Sequence, residues 1–454
     1  MNNSNIWTIS FASVFFVATV YFLFIFTIPL LEKADDGQTN LVIVDTTTSS
    51  NITTKSNLVK YVDTIEECPT LPPRDVENLT VHDLRADDIT YIMALGDSIT
   101  AAFGAKGLRG HDEEKFLIES TNKKHKKQIK KDQEFLYVLD QQQQQQKKYL
   151  NNNDDDNDHD YNESIQPFDP RNLYENRGLS FAIGGDENAT SLARFLNYYS
   201  RYGLIGASLG DHLTHIYRLN GAESGAMASN IYKQVDYLLW QLNLEKSHRG
   251  TRFVDGKFKL LNLFIGNNDL CQSCNNMNTS PEKFEKVIRD TLDSIMNRIP
   301  NTIVNLMGVF NVSQVYDVTH GQKYCRWYDV PYINFECTCA FAPGEFGVLN
   351  RKIMDDLAAK YNTILQNIVA DYSKLERNDF AIVHNRFDLN LTTFPIDGLS
   401  NIDCFHPSKK SHEYISKVLW NSLVTPFKER ESVISWDDDI KIRCFGEDDR
   451  IITY

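Results

Sequence analysis

The sequence predicts an α/β fold, with about five mostly parallel strands flanked by helices in a three-layer sandwich. Two observations support this fold class. Short apolar runs rich in Ile, Leu, Val and Phe recur along the chain, which is typical of strands buried on both faces. Helix-like stretches lie between these runs, and this alternation favours a parallel sheet covered by helices on both sides. The candidate strands are Ile89–Leu95, His215–Leu219, Phe258–Ile265, Thr302–Phe310 and Phe380–Val383.

The candidate helices separate these strands. They are Ala222–Leu242, Pro281–Arg298, a long one over about 346–372, and a last one that begins near Ser408. Ligands of such sheets bind at the carboxyl ends of the strands, so residues just after each strand are the candidates for a site. The long helix has apolar residues at steps of three and four, which form one face: Met354, Leu357, Ala358, Tyr361, Leu365, Ile368, Val369 and Tyr372.

The N-terminal segment is predicted to enter a membrane. Residues Ile6 to Leu31 include no charged side chain. A bilayer crossing needs about 20 apolar residues, whereas the core of a signal peptide spans about 7 to 15. The length favours an uncleaved signal anchor over 1–31, with a cleaved signal peptide as the alternative. Residues 32–66 are rich in Thr, Ser, Asn and Asp, which indicates a solvated stalk.

Sequons and cysteines indicate that the rest of the chain is extracellular or luminal, either as a single-pass membrane protein or as a secreted one. An even number of cysteines in a chain with a targeting segment favours disulfides, whose pairing the sequence leaves open. The competing hypothesis is a zinc site built from Cys271-x-x-Cys274 and Cys337-x-Cys339, but the second spacing is unfavourable. The N-x-S/T sequons, which are acceptors for N-glycosylation, begin at Asn51, Asn78, Asn162, Asn188, Asn278, Asn311 and Asn390.

The net charge excludes one class of function, and the low-complexity segments indicate how the domain is organised. The 454 residues have a formal net charge of -14, and no concentrated basic face indicates a nucleic-acid partner. A low-complexity tract at about 111–166 is predicted to be an insertion within one domain over 67–430. An alternative is that its basic segment contacts anionic headgroups, although the acidic run beside it would partly cancel the attraction. Residues 431–454 are predicted to form a C-terminal tail, tied to the domain by Cys444.

Four short segments at or after predicted strand ends contain candidate catalytic groups. Ser98 stands at a strand-to-helix turn that presents a hydroxyl at the sheet edge. Gly225 lets a backbone N–H approach a substrate oxygen, and the Asn268 amide is a neutral donor suited to an oxyanion. Asp403 stands three residues before His406, so that its carboxylate can hold Nδ1 and leave Nε2 to accept the serine proton. Taken singly, each segment is more often a turn, a helix cap or a surface residue.

Taken in order, the four segments resemble those of the SGNH (GDSL-type) hydrolases, in which Ser, Gly, Asn and His mark four blocks. A closer resemblance is to the membrane-associated phospholipase B branch, over roughly residues 67–430. Three stretches support it: Arg177–Asp186, Leu263–Cys271 and Asp403–His406. The sequence departs from that branch in its long insertion before Arg177 and in having a single catalytic copy.

The resemblance implies the SGNH fold and a phospholipase B-like serine esterase. Such an enzyme hydrolyses fatty-acyl esters of glycerophospholipids and lysophospholipids through an acyl-enzyme. Ser98 would be the nucleophile, His406 the base and Asp403 its orienting partner, with Ser98, Gly225 and Asn268 forming the oxyanion hole. The implied partners are the phospholipid substrate and the membrane surface, with no cofactor, metal or obligate protein partner. The alternatives are a general carboxylesterase or deacetylase of the same fold, and a non-catalytic membrane-anchored lipid-binding ectodomain.

Overall fold

A parallel sheet of four strands forms the centre of the protein. The computed structural model describes residues 59–74, 77–107, 174–212, 218–275, 279–322 and 336–453. Their strands are β1 (Tyr61–Val62), β2 (Ile89–Gly96), β3 (Phe258–Phe264), β4 (Thr302–Met307), β5 (Phe380–Asn385) and β6 (Ile442–Arg443). The parallel sheet has the order β2–β3–β4–β5, while β1 and β6 pair antiparallel in a separate two-stranded sheet.

The central sheet has the buried, parallel character that its apolar sequence predicts. All but two of the residues in its four strands are buried, as expected when helices flank the sheet. The second candidate strand, His215–Leu219, is not a strand in the part that the structure describes. Next to it, Asn220 forms a single parallel bridge with Ala94 of β2. Residues 215–217 of this candidate lie outside the described residues, and the structure confirms the other four candidate strands.

The helices alternate with the strands as the sequence predicts. Pro281–Arg298 is confirmed at both ends, and the Ser280 hydroxyl caps it by accepting a hydrogen bond from the Lys283 N–H at 3.3 Å. The helices of the described residues are α1 (Ser98–Ala101), α2 (Leu192–Tyr199), α3 (Ile231–Arg249), α4 (Thr251–Gly256), α5 (Asn267–Cys271), α6 (Pro281–Arg298), α7 (Gln314–Thr319), α8 (Thr338–Phe341), α9 (Gly344–Ser373) and α10 (Lys409–Ser422).

The two longest helices differ in how well the sequence located them. The predicted apolar face of α9 is confirmed, since Met354, Leu357, Ala358, Tyr361, Leu365 and Ile368 are buried. Helix α3 begins at Ile231, later than the predicted Ala222. The helix starts late because Gly225 has a left-handed φ of 75° and because a 3-10 turn over Ala228–Asn230 precedes it. The intervening residues form a loop.

Both ends of the described chain pack onto the domain. In the predicted stalk over 32–66, Val62 and Ile65 are buried, and residues from 431 onward pair with that segment through β1 and β6. A disulfide joins Cys68 to Cys444, so the predicted tie between the tail and the domain is present. The folded unit therefore extends beyond the predicted 67–430 at both ends.

Disulfides, rather than a zinc site, account for the paired cysteine motifs. Cys271 is bonded to Cys337, and Cys274 is bonded to Cys339. Cys404 is also disulfide-bonded, to a partner outside the described residues. The predicted anchor over 1–31 and the insertion at about 111–166 lie outside the described residues as well. Within the described ranges, no helix has the length and apolarity needed to cross a bilayer.

Candidate active site

Ser98 occupies the sharp turn between β2 and α1. The strand ends at Gly96, where a side chain would lie 2.6 Å from the Phe264 carbonyl, so only glycine fits. Asp97 follows and caps the helix, because its Oδ1 accepts a hydrogen bond from the Ile99 N–H at 3.0 Å. Ser98 is therefore the first residue of a one-turn helix, which places its hydroxyl at the carboxyl edge of the sheet.

The structure brings Ser98, His406 and Asp403 into one hydrogen-bonded chain. His406 Nε2 lies 2.7 Å from Ser98 Oγ, and His406 Nδ1 lies 2.6 Å from Asp403 Oδ2. Asp403 Oδ1 also accepts the backbone N–H groups of Phe405 and His406, at 2.9 and 3.0 Å. Cys404 has a left-handed φ of 50°, which folds the Asp403 carboxylate back onto the imidazole. The predicted spacing of three residues thus yields the predicted contact.

The imidazole is buried and lies against aromatic rings. His406 is 3% exposed, and the Phe103 ring lies 4.8 Å from its ring centroid. Burial lowers the pKa of His406, but the Asp403 carboxylate and its hydrogen bond, together with Glu336 and Asp97, raise it, and the net direction is upward. Burial also raises the pKa of Asp403, yet the interaction with His406 holds it below its usual value. This arrangement favours an imidazolium that rests on an ionised carboxylate.

A pH profile of kcat/KM is expected to show this raised pKa. The base must be neutral to accept the Ser98 proton, so activity should fall as the pH drops through the pKa of His406. The midpoint of that acid limb should lie above the unperturbed histidine value of about 6.5. Glu336→Gln removes one of the carboxylates that raise the pKa, and it should move the limb to lower pH. An acid limb whose midpoint lies at or below about 6.5 in the unmodified protein would contradict this electrostatic description.

The two predicted oxyanion donors lie in adjoining segments. Asn268 is in α5, at the end of β3, and its Nδ2 donates to the Ala226 carbonyl at 2.9 Å. Asp269 accepts the Ala228 N–H at 2.8 Å, so two side chains of α5 hold the same loop. Gly225 is exposed within that loop, with its φ of 75°. Asn268 lines the pocket at Ser98 and Gly225 does not.

Ser98 lines a small, mainly apolar pocket with a cavity volume of about 30 Å³. Its polar lining residues are Asp97, Ser98, Asn267, Asn268 and Ser411, and its apolar walls come from strand ends, loops and α10. Burial raises the pKa of Asp97 to about 6, as expected for a carboxyl group at the base of such a pocket. The apolar residues that line the pocket are Ile99, Phe310, Val312, Val315, Phe387, Leu389, Leu391, Phe394, Leu399, Phe405, Pro407 and Ile415.

Sequence reasoning did not identify several residues that surround the triad. Phe103 and Glu336 contact or influence His406, and Phe310 and Phe387 line the pocket. None of these four residues belongs to a recognisable catalytic or ligand-binding motif. Phe310 does stand at the end of a predicted strand, where the carboxyl-edge rule applies, so position alone could have suggested it.

The strand-turn-helix serine, the Asp-x-x-His segment and the parallel sheet are features of a serine esterase built on an α/β fold. The family model described as GDSL-like Lipase/Acylhydrolase matches residues 92–419. The chain therefore belongs to the GDSL-like lipase/acylhydrolase family, and the predicted class of carboxylic ester hydrolase is the class of this family.

Comparison with curated proteins places the chain near one branch of the family. It is 26% identical over 390 residues to human "Phospholipase B1, membrane-associated", and 25% identical over 391 residues to the rat protein of that name. Each alignment covers 83% of this chain and 22% of the relative, so the chain spans about a fifth of their length. These matches confirm the predicted resemblance to the phospholipase B branch.

A solved structure was also matched. An extracellular lipase from Streptomyces rimosus aligns with 71% of this chain and 94% of its own, at 12% identity and a TM-score of 0.28.

Proposed function

We propose that the protein is a serine esterase that hydrolyses fatty-acyl esters of glycerophospholipids and lysophospholipids. One observation supports this above the others. Ser98, the end of the hydrogen-bonded chain that runs from Asp403 through His406, also lines an apolar pocket. A nucleophile activated by a base, beside an apolar cavity, suits an ester whose acyl group is a hydrocarbon chain.

In the proposed mechanism, Ser98 Oγ attacks the ester carbonyl while His406 Nε2 accepts its proton. The resulting imidazolium is held by Asp403, which remains ionised. His406 then protonates the leaving alcohol, and the acyl group stays on Ser98. Water then attacks this acyl-enzyme while His406 Nε2 accepts its proton, and His406 returns that proton to Ser98 Oγ as the acyl–oxygen bond breaks and the fatty acid leaves.

Three hydrogen-bond donors are proposed to stabilise the negative charge that develops on the carbonyl oxygen. These are the backbone N–H of Ser98, the backbone N–H of Gly225 and the side-chain amide of Asn268. One N–H of the Asn268 amide already donates to Ala226, which fixes the orientation of the group, and its second N–H can serve the oxyanion. Preorganised neutral donors of this kind stabilise the transition state without reorganisation.

A lipid substrate is supported by the pocket and by the relatives. Most residues that line the pocket are aliphatic or aromatic, and Ser98 is among its few polar ones. Burial of each methylene group of an acyl chain there contributes about 0.8 kcal/mol. The curated relatives are named as membrane-associated phospholipases. For this chain we propose the corresponding location, with residues 1–31 as the anchor and the catalytic domain on the extracellular or luminal side.

The test is a comparison of substrates for the purified full chain in detergent micelles. We expect fatty acid release from phosphatidylcholine and lysophosphatidylcholine, and much slower release of acetate from an acetylated sugar. A preference for the acetylated sugar would instead indicate a deacetylase of the same fold. Binding of the phospholipids without release of fatty acid would indicate a non-catalytic lipid-binding protein.

A further inference from the structure

A buried ion pair outside the triad contacts the loop that includes Gly225. Arg177 Nε and Nη2 donate to Glu175 Oε2 at 2.8 and 2.6 Å, and neither side chain is exposed to solvent. Charges are placed in such an environment only when they are paired and hydrogen-bonded. The proposed mechanism gives this pair no role, although Arg177 begins one of the stretches that resemble the phospholipase B branch.

The pair holds the loop at three points. Arg177 Nη1 donates to the Asn220 carbonyl at 3.3 Å, and Nη2 donates to the Ala222 carbonyl at 2.6 Å. Glu175 Oε1 accepts two hydrogen bonds from Ser224, at 3.0 Å from its N–H and at 2.8 Å from its hydroxyl. Hydrogen bonds to charged groups are shorter and stronger than neutral ones. The backbone is therefore fixed up to the residue before Gly225.

The same segment is joined to the helix of the nucleophile. Glu175 forms an antiparallel bridge with Phe103, and the Asn176 N–H donates to the Ala102 carbonyl at 2.9 Å. Ala102 directly follows α1, the helix that begins at Ser98. One desolvated unit thus connects the end of α1 to the loop before Gly225.

We propose that the Glu175–Arg177 pair positions the oxyanion hole, by fixing the Gly225 N–H relative to Ser98 through Ser224. The inference rests on the proposed function, in which Gly225 donates to the oxyanion. Glu175, Arg177 and Ser224 are then positioning residues, because none of them touches the substrate. Donor placement matters mainly in the transition state, so a loosened loop should lower kcat and leave KM nearly unchanged.

Ser224→Ala is the sharpest test, because it removes one hydrogen bond to Glu175 and leaves the ion pair and the backbone bond in place. We expect kcat to fall about 10-fold at constant KM. The inhibition constant of a trifluoromethyl ketone with a fatty-acyl chain should rise by the same factor, because its bound oxyanion occupies the hole. Ser224→Thr keeps the hydroxyl and should recover most of the lost activity. The unfolding temperature should fall by only a few degrees, as expected for the loss of one hydrogen bond.

Two further variants distinguish a failure of the positioning role from a failure of the proposed function. Ser229→Ala changes an exposed serine in the following turn and should match the unmodified protein. If Ser98→Ala remains active, the proposed function itself is wrong. If Ser98→Ala is inactive but Ser224→Ala keeps its kcat and its affinity for the ketone, only the positioning role is overturned. A loss of kcat that comes with lower thermal stability and unchanged ketone inhibition would also overturn it, since that pattern reflects a merely structural role.

Discussion

Replacing Ser98 with alanine is expected to reduce kcat for phospholipid hydrolysis by about 10⁶-fold. Among the residues that the structure describes, the hydroxyl that bonds His406 Nε2 at 2.7 Å is the group placed to form the acyl-enzyme. Alanine leaves the capping of α1 by Asp97 intact, because that cap uses a carboxylate and the Ile99 N–H. The fold should therefore be preserved while the nucleophile is lost. Initial rates on micellar phosphatidylcholine, with far-UV circular dichroism on the same samples, measure both effects.

His406→Gln should produce a loss of similar size, and the double variant should be no worse than either single one. Residues that act as one unit in a mechanism are strongly non-additive in this way. His248→Gln is a matched control, because His248 is exposed on the last turn of α3. Additive losses in the double variant would show that Ser98 and His406 act independently, which contradicts a shared proton transfer.

The sequence predicts the chemistry of the site better than its surroundings. Ser98, Asn268 and His406 belong to short segments that each follow an apolar strand or precede a helix, and their order resembles that of the SGNH hydrolases, so they could be chosen as candidates. The sheet then brings them together, because parallel strands present their carboxyl ends at one edge. The distances of 2.7 and 2.6 Å in the triad follow from that topology and from the left-handed Cys404.

Other features depend on contacts between distant parts of the chain, which periodicity does not encode. The Cys68–Cys444 disulfide joins residues 376 positions apart, and the polar composition around residue 60 masks a strand that pairs with β6. The Glu175–Arg177 pair reads as two ordinary surface charges, although both side chains are fully buried. Charged residues are almost never fully buried unless they are paired, and pairing is a tertiary property.

Asp403→Asn is expected to lower kcat by about 10⁴-fold with little change in the fold. Asparagine can keep its oxygen on the backbone N–H groups of Phe405 and His406, which Asp403 Oδ1 accepts at 2.9 and 3.0 Å. Its amide nitrogen then faces His406 Nδ1 and donates to it. The proton of the neutral imidazole is thereby forced onto Nε2, the atom that must accept the Ser98 proton.

The pH dependence of this variant separates the tautomer effect from simple loss of charge. Removal of the carboxylate takes away the main group that raises the pKa of His406, while burial continues to lower it. The acid limb of kcat/KM should therefore move to lower pH than in the unmodified protein, while the plateau at high pH stays about 10⁴-fold lower. If the plateau recovers once His406 is neutral, Asp403 acts only through the charge of the imidazole. A persistent deficit shows that it orients the ring and selects which nitrogen bears the proton, because neither effect depends on the bulk pH.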